Sequence, residues 1–71
     1  MLRRLRDLRE DRDLKQKDIA DILSITTQQY QLYESGKRFL PVYHLKTLCE
    51  FYNISADYIL ELTENPMPLH T

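Results

Sequence analysis

The chain has 71 residues, 42% hydrophobic and 30% charged, with a net charge of −1 and one cysteine; that composition allows one small globular domain with one modest core and excludes a disordered or membrane-like chain. Cys49 has no partner for an internal disulfide and no Cys or His at metal-ligand spacing, so packing alone is expected to hold the fold, with no metal and no cofactor. No apolar run approaches the roughly 18 residues of a membrane span, and MLRRLRDLRE lacks the unbroken apolar segment of a secretory signal, so no membrane partner and a cytoplasmic location are expected.

Apolar residues recur at steps of three and four, the helical period, which predicts an all-α chain. A first helix is expected over about residues 2–12, with Leu2, Leu5 and Leu8 down one side and Arg3–Asp7 and Arg6–Glu10 as charge pairs at helical spacing. A second covers Gln16 to Leu23, turning Ile19, Ala20 and Leu23 inward, with Asp18 in the first turn where the helix dipole favours an acid. Ser24 and Ile25 are a connector too short to be anything but a turn. Thr26 or Thr27 can cap a third helix that ends near Ser35, and Gly36 can take the left-handed conformation that closes it.

Pro41 suits the first turn of a fourth helix, whose stripe is Val42, Leu45, Leu48, Cys49 and Tyr52, with Cys49 a small buried hydrophobe and Asn53 the end. Ser55 caps a short fifth helix with Ala56, Ile59 and Leu60 facing in. Residues 1–62 form the domain, and 63–71, with Pro66 and Pro68, read as a flexible tail.

Charge is unevenly spread. Residues 1–38 hold nine Lys or Arg against seven acids, and residues 39–71 hold Lys46 against Glu50, Asp57, Glu61 and Glu64. The amino-terminal part can therefore present a basic face in a chain that is acidic as a whole.

The second and third helices with their tight turn have the arrangement of a helix-turn-helix, in which the second of the two enters the major groove. Small Ala20, branched Ile25 and Tyr30 sharpen the match. At about 100° per residue, Tyr30 and Tyr33 in the core turn Gln28 nearly opposite, with Gln31, Leu32 and Ser35 flanking that outward direction within about 50° and Gln29 to the side. A glutamine amide carries a donor and an acceptor that match adenine N6 and N7 together, so Gln28 is the leading candidate for base reading and Gln31 a second. Leu32 can touch a thymine methyl, and Thr27 can reach a base edge or a phosphate. Thr26, Ser35, Lys37 and Arg38 are candidates for the sugar-phosphate chain, contacts that set position without reading sequence.

From Leu2 to Leu62 the chain resembles the phage lambda Cro and repressor class, closest to its phage 434 repressor type. The resemblance rests on Arg9, Leu14, Gln16, Ala20, Leu23, Ile25, Glu34, Gly36, Lys37, Pro41, Leu45, Leu48 and the run from Asn53 to Leu60. It implies a compact five-helix lambda-repressor-like DNA-binding domain that regulates transcription as a homodimer on a near-palindromic double-stranded operator. It also implies that Gln16 binds a phosphate and braces Thr27, that Arg9 and Glu34 form a partly buried ion pair, and that Tyr58 and Leu62 lie near the dimer contact. Ser24 stands where the class often has Gly, and Lys15 where it often has a capping Ser or Thr.

A protein-interaction module on the same fold, such as an antitoxin or antirepressor, is the alternative that the acidic balance favours. Enzyme activity has no basis in the residues: His44 and His70 belong to no catalytic constellation, there is no glycine-rich phosphate loop, and no small-molecule site is evident.

Overall fold

The computed structural model describes residues 3–66. Among them the regular elements are helices: α1 (Arg3–Asp11), α2 (Gln16–Leu23), α3 (Thr27–Ser35), α4 (Val42–Tyr52) and α5 (Ala56–Ile59), with no strand. Leu2, expected on the inner side of the first helix, and residues 67–71 of the expected tail, Pro68 and His70 among them, lie outside the described residues.

How the helices stop explains how a chain with one glycine turns so often. After α1, α2, α4 and α5 a non-glycine residue takes the left-handed conformation: Asp13 (φ 54°), Ser24 (φ 59°), Asn53 (φ 56°) and Glu61 (φ 63°). The next N–H then reaches back into the helix, from Leu14 to the Arg9 carbonyl (3.0 Å), Ile25 to Ala20 (3.0 Å), Ile54 to Cys49 (3.0 Å) and Leu62 to Asp57 (2.8 Å). This is the Schellman closure, which satisfies carbonyls that a helix end would leave orphaned and favours an apolar residue directly after the left-handed one. Leu14, Ile25 and Ile54 are accordingly half-buried, whereas Leu62 is 72% exposed. Gly36 (φ 83°) closes α3.

The chain divides between Phe39 and Leu40 into two compact units. In the first, α2 packs along α3, and α1 also rests on α3. Leu5 and Leu8, Ile19, Ala20 and Leu23, and Tyr30 and Tyr33 are its buried apolar residues. Close packing of this kind supplies most of the stability of helices too short to persist alone.

In the second unit α4 meets α5, with Leu48, Tyr52 and Ile59 buried. The predicted α4 stripe is narrower than expected: Val42 is 79% exposed, and Leu45 and Cys49 are half-buried. Leu48 and Tyr52 centre the inward direction about 100° away from Val42 at the helical step, which leaves that side chain in solvent. Leu60, also expected to face in, is 41% exposed because it follows the end of α5 and turns away from Ile59. Pro41 is the N-cap of α4, one position earlier than expected, and its carbonyl accepts from the N–H groups of His44 (3.1 Å) and Leu45 (3.0 Å). Ser55 Oγ accepts from Tyr58 N–H at 3.1 Å, as a capping serine should, while the Ser55 N–H donates to the Pro66 carbonyl at 3.0 Å and ties residue 66 to the start of α5.

Candidate nucleic-acid interface

Helix α2 begins without a side-chain cap from its N-cap residue, Lys15, because an ammonium has no lone pair to offer an orphaned N–H. One half of a capping box remains: the Asp18 carboxylate accepts from the Lys15 N–H at 2.8 Å. The left-handed Ser24 then turns the chain, and Thr26 opens α3, its Oγ1 accepting from the Gln29 N–H at 3.1 Å. Three non-helical residues, Ser24 to Thr26, thus separate two short helices packed against each other.

The two faces of α3 differ sharply. Tyr30 and Tyr33 are 0% and 2% exposed, whereas Gln28 and Gln31 lie in solvent and Thr27 and Leu32 are half-buried. Gln29 sits between the faces and donates its Nε2–H to the Tyr33 hydroxyl at 3.1 Å, which draws its amide away from the outer surface. At the carboxyl end, Ser35, Lys37 and Arg38 are exposed. The Ser35 hydroxyl donates to the Leu32 carbonyl at 3.2 Å, and the Arg38 N–H donates to the same carbonyl at 3.2 Å, folding the loop back onto the last turn. Thr26 is exposed beside Thr27, its hydroxyl oxygen already serving as the cap.

Behind this surface lies a polar network. Arg9 grips Glu34 with two parallel bonds, Nε–H to Oε2 at 3.0 Å and Nη2–H to Oε1 at 2.9 Å, and its Nη1–H donates to the Leu14 carbonyl at 3.0 Å. Both side chains are largely buried, 12% and 6% exposed, so the pair joins α1 to the last turn of α3 under little solvent screening. Burial by itself pushes the Glu34 carboxyl up, but the bonds from Arg9, with Tyr30 and Gln16 acting the same way, hold it below the ordinary glutamate range. The Arg9 guanidinium is raised, chiefly by its hydrogen bond to Glu34.

The Gln16 amide differs from what the resemblance implied. Its Nε2–H donates to Glu34 Oε1 at 3.4 Å, so its brace is the buried carboxylate and not Thr27. The Glu34 side chain is already buried by its pairing with Arg9, and the Gln16 amide at the start of α2 adds a third donor to it.

Tyr58 is half-buried and Leu62 exposed, both in the second unit. Cys49 has its thiol pushed up by burial, with Glu50 adding to the effect, which keeps it in the unreactive thiol form at neutral pH. Among the described residues no group of His, Cys, Asp and Glu could hold a metal, and no helix is long and apolar enough to cross a membrane. Reading the sequence passed over two features. One is the Leu14 carbonyl as a third acceptor for Arg9, which no residue type signals. The other is Phe39, 96% exposed directly after Lys37 and Arg38, where an aromatic in a cationic loop was a visible signal.

Two short helices joined by a tight left-handed turn, the second with a buried aromatic face and an outward amide face, define a helix-turn-helix. The family described as a helix-turn-helix domain matches residues 3–64, and the chain belongs to that family. It is also similar to an uncharacterized HTH-type transcriptional regulator, YobD, of Bacillus subtilis (strain 168), with 37% identity over 65 residues. That match covers 92% of this chain and 58% of the relative, so the chain spans less than two thirds of that protein's length. No solved structure matches.

Proposed function

We propose that this domain is a sequence-specific regulator of transcription of the lambda Cro and repressor kind, binding double-stranded DNA with α3 in the major groove and acting as a repressor. The observation that carries the reading is the division of α3: two tyrosines buried on one side hold a glutamine in solvent on the other. Gln28 reads an adenine through a paired donor and acceptor, Gln31 does so further along, and Thr27 and Leu32 complete the base contacts. Gln16, Thr26, Ser35, Lys37 and Arg38 hold the sugar-phosphate chain, Ser35 exchanging its bond to Leu32 for one to a phosphate. The Arg9–Glu34 pair sets the docking angle of α3 from behind. The membership in the helix-turn-helix family and the similarity to the Bacillus HTH-type transcriptional regulator support the regulatory role. A homodimer in contact through Tyr58 and Leu62 reads a near-palindromic operator, since two-fold protein symmetry requires two half-sites. The regulator works in the cytoplasm and carries out no catalysis.

Selection from a random duplex pool tests this. A motif should emerge, and Gln28→Ala should lose about 1–3 kcal/mol of discrimination at one base pair in each half-site. No enriched motif, or one indifferent to that substitution, would end the reading.

The second reading, a module that binds protein, draws on the exposed Val42, Tyr43, Phe51, Leu60 and Leu62 of the second unit. A tight protein partner together with no retention on any duplex at low salt would select it.

A further inference from the structure

Phe39 is the most exposed of the large hydrophobic residues described, 96% of its surface facing solvent. Nothing among the described residues rewards that placement, since an aromatic ring left in water forgoes the largest apolar contribution a side chain can make. Its surroundings are specific. Lys37 and Arg38 immediately precede it, both exposed, and the Arg38 N–H is bonded to the carbonyl of Leu32, a residue of the outer half of α3. Gly36, left-handed at φ 83°, makes that return possible. The short cationic loop is therefore fixed to the last turn of α3 and follows it wherever that helix docks.

Resting on the regulator reading above, we infer that Phe39 is itself a DNA contact, its ring packed on the deoxyribose face of the backbone strand whose phosphates Lys37 and Arg38 engage. With the amino-terminal half of α3 at the base edges, the loop at its other end meets the strand bordering the groove. Phosphates there match the two cations, and the sugar between successive phosphates is the apolar surface of that strand's backbone. A purely apolar protein surface would match the ring but not the pair of cations beside it, whereas a DNA backbone repeats sugar and phosphate at every step. The contact adds affinity at every sequence alike, because sugars carry no base information.

The test uses the full chain and the duplex enriched from a random pool. Phe39→Ala should leave the thermal midpoint unchanged, since the ring supports nothing inside the fold. It should weaken binding about tenfold on enriched and unrelated duplexes alike. The slope of log affinity against log salt should stay as in the parent, because an uncharged contact releases no counterion. The chain has no tryptophan, so Phe39→Trp places a single indole at the contact, whose emission should change on addition of duplex and become shielded from acrylamide.

Phe39→Ala binding within about twofold of the parent, or an indole indifferent to DNA, overturns the inference while the regulator reading stands. A loss of affinity that disappears once protein concentration restores self-association makes the ring a contact between copies and also overturns it. Failure of the parent chain to bind any duplex at low salt removes both.

Discussion

Glu34 is the buried charged residue among those described. It accepts two bonds from Arg9 and one from Gln16 with only 6% of its side chain exposed, so an unpaired partner would be left charged in a dry place. Removing one member of such a pair typically costs about 3–5 kcal/mol, and Arg9→Ala should lower the urea midpoint by that measure. The loss would be a large part of the roughly 4–10 kcal/mol available to a chain of this size. Because its folded pKa lies below the ordinary value, Glu34 contributes stability that is fully present above its unfolded pKa of about 4.3 and is lost as pH falls through the lower folded value. Acid unfolding monitored by helical circular dichroism should therefore steepen below about pH 4, and Glu34→Gln should flatten that segment while lowering stability at neutral pH. A parent and variant with the same acid profile would show that other carboxylates dominate. The Gln16 amide is held by Glu34, so on the phosphate role proposed for Gln16, Glu34→Gln should also weaken DNA binding.

The helix ends bear most of the cost at the scale of the element. Four left-handed closures use Asp13, Ser24, Asn53 and Glu61, and a non-glycine residue gives up about 1–2 kcal/mol in that conformation, less for Asn and Asp, whose side chains bond locally. Ser24→Gly should raise the unfolding free energy by about 0.5–1 kcal/mol after the added chain entropy of glycine is deducted, visible as a melting shift of about 2–8 °C. Asn53→Gly should gain less. At the other end of α2, Lys15→Ser would complete the box that Asp18 half-builds, with an expected gain of about 0.5–1 kcal/mol in the same melting experiment. A Ser24→Gly variant that melts lower than the parent would mean the serine side chain contributes something its closure geometry does not show.

On the scale of the molecule, charge and stoichiometry matter. A net charge of −1 gives little long-range attraction for DNA. Binding must draw on locally placed cations, and affinity should fall steeply with salt. Replacing Lys37 and Arg38 together by Gln should reduce the slope of log affinity against log salt by about 1.8 for each bound chain, at about 0.9 per phosphate contact. Sedimentation of the saturated complex should give two chains per operator duplex; one chain per duplex would remove the proposed dimer and with it the role proposed for Tyr58 and Leu62.

The order and type of the helices, the place of the turn and the outward side of α3 were readable from residue spacing, because helical periodicity and capping chemistry are local and each acts within a few positions. Gln28 opposite Tyr30 and Tyr33 is the clearest case, since a rotation of about 100° per residue needs no knowledge of the rest of the fold. Which apolar residues of α4 and α5 are buried was not read from the sequence: Val42 and Leu60 have the same apolar character as Leu48 and Ile59, and the inward direction set where α4 meets α5, together with the end of α5 before Leu60, separates them. The resemblance implied that Arg9 and Glu34 pair, but only the tertiary structure put the Gln16 amide on Glu34 and the Leu14 carbonyl under Arg9. The Gln16–Glu34 contact joins positions far apart along the chain, and the Arg9–Leu14 bond ends on a carbonyl that no side chain announces; both partners are set by distance in space, which no local pattern encodes.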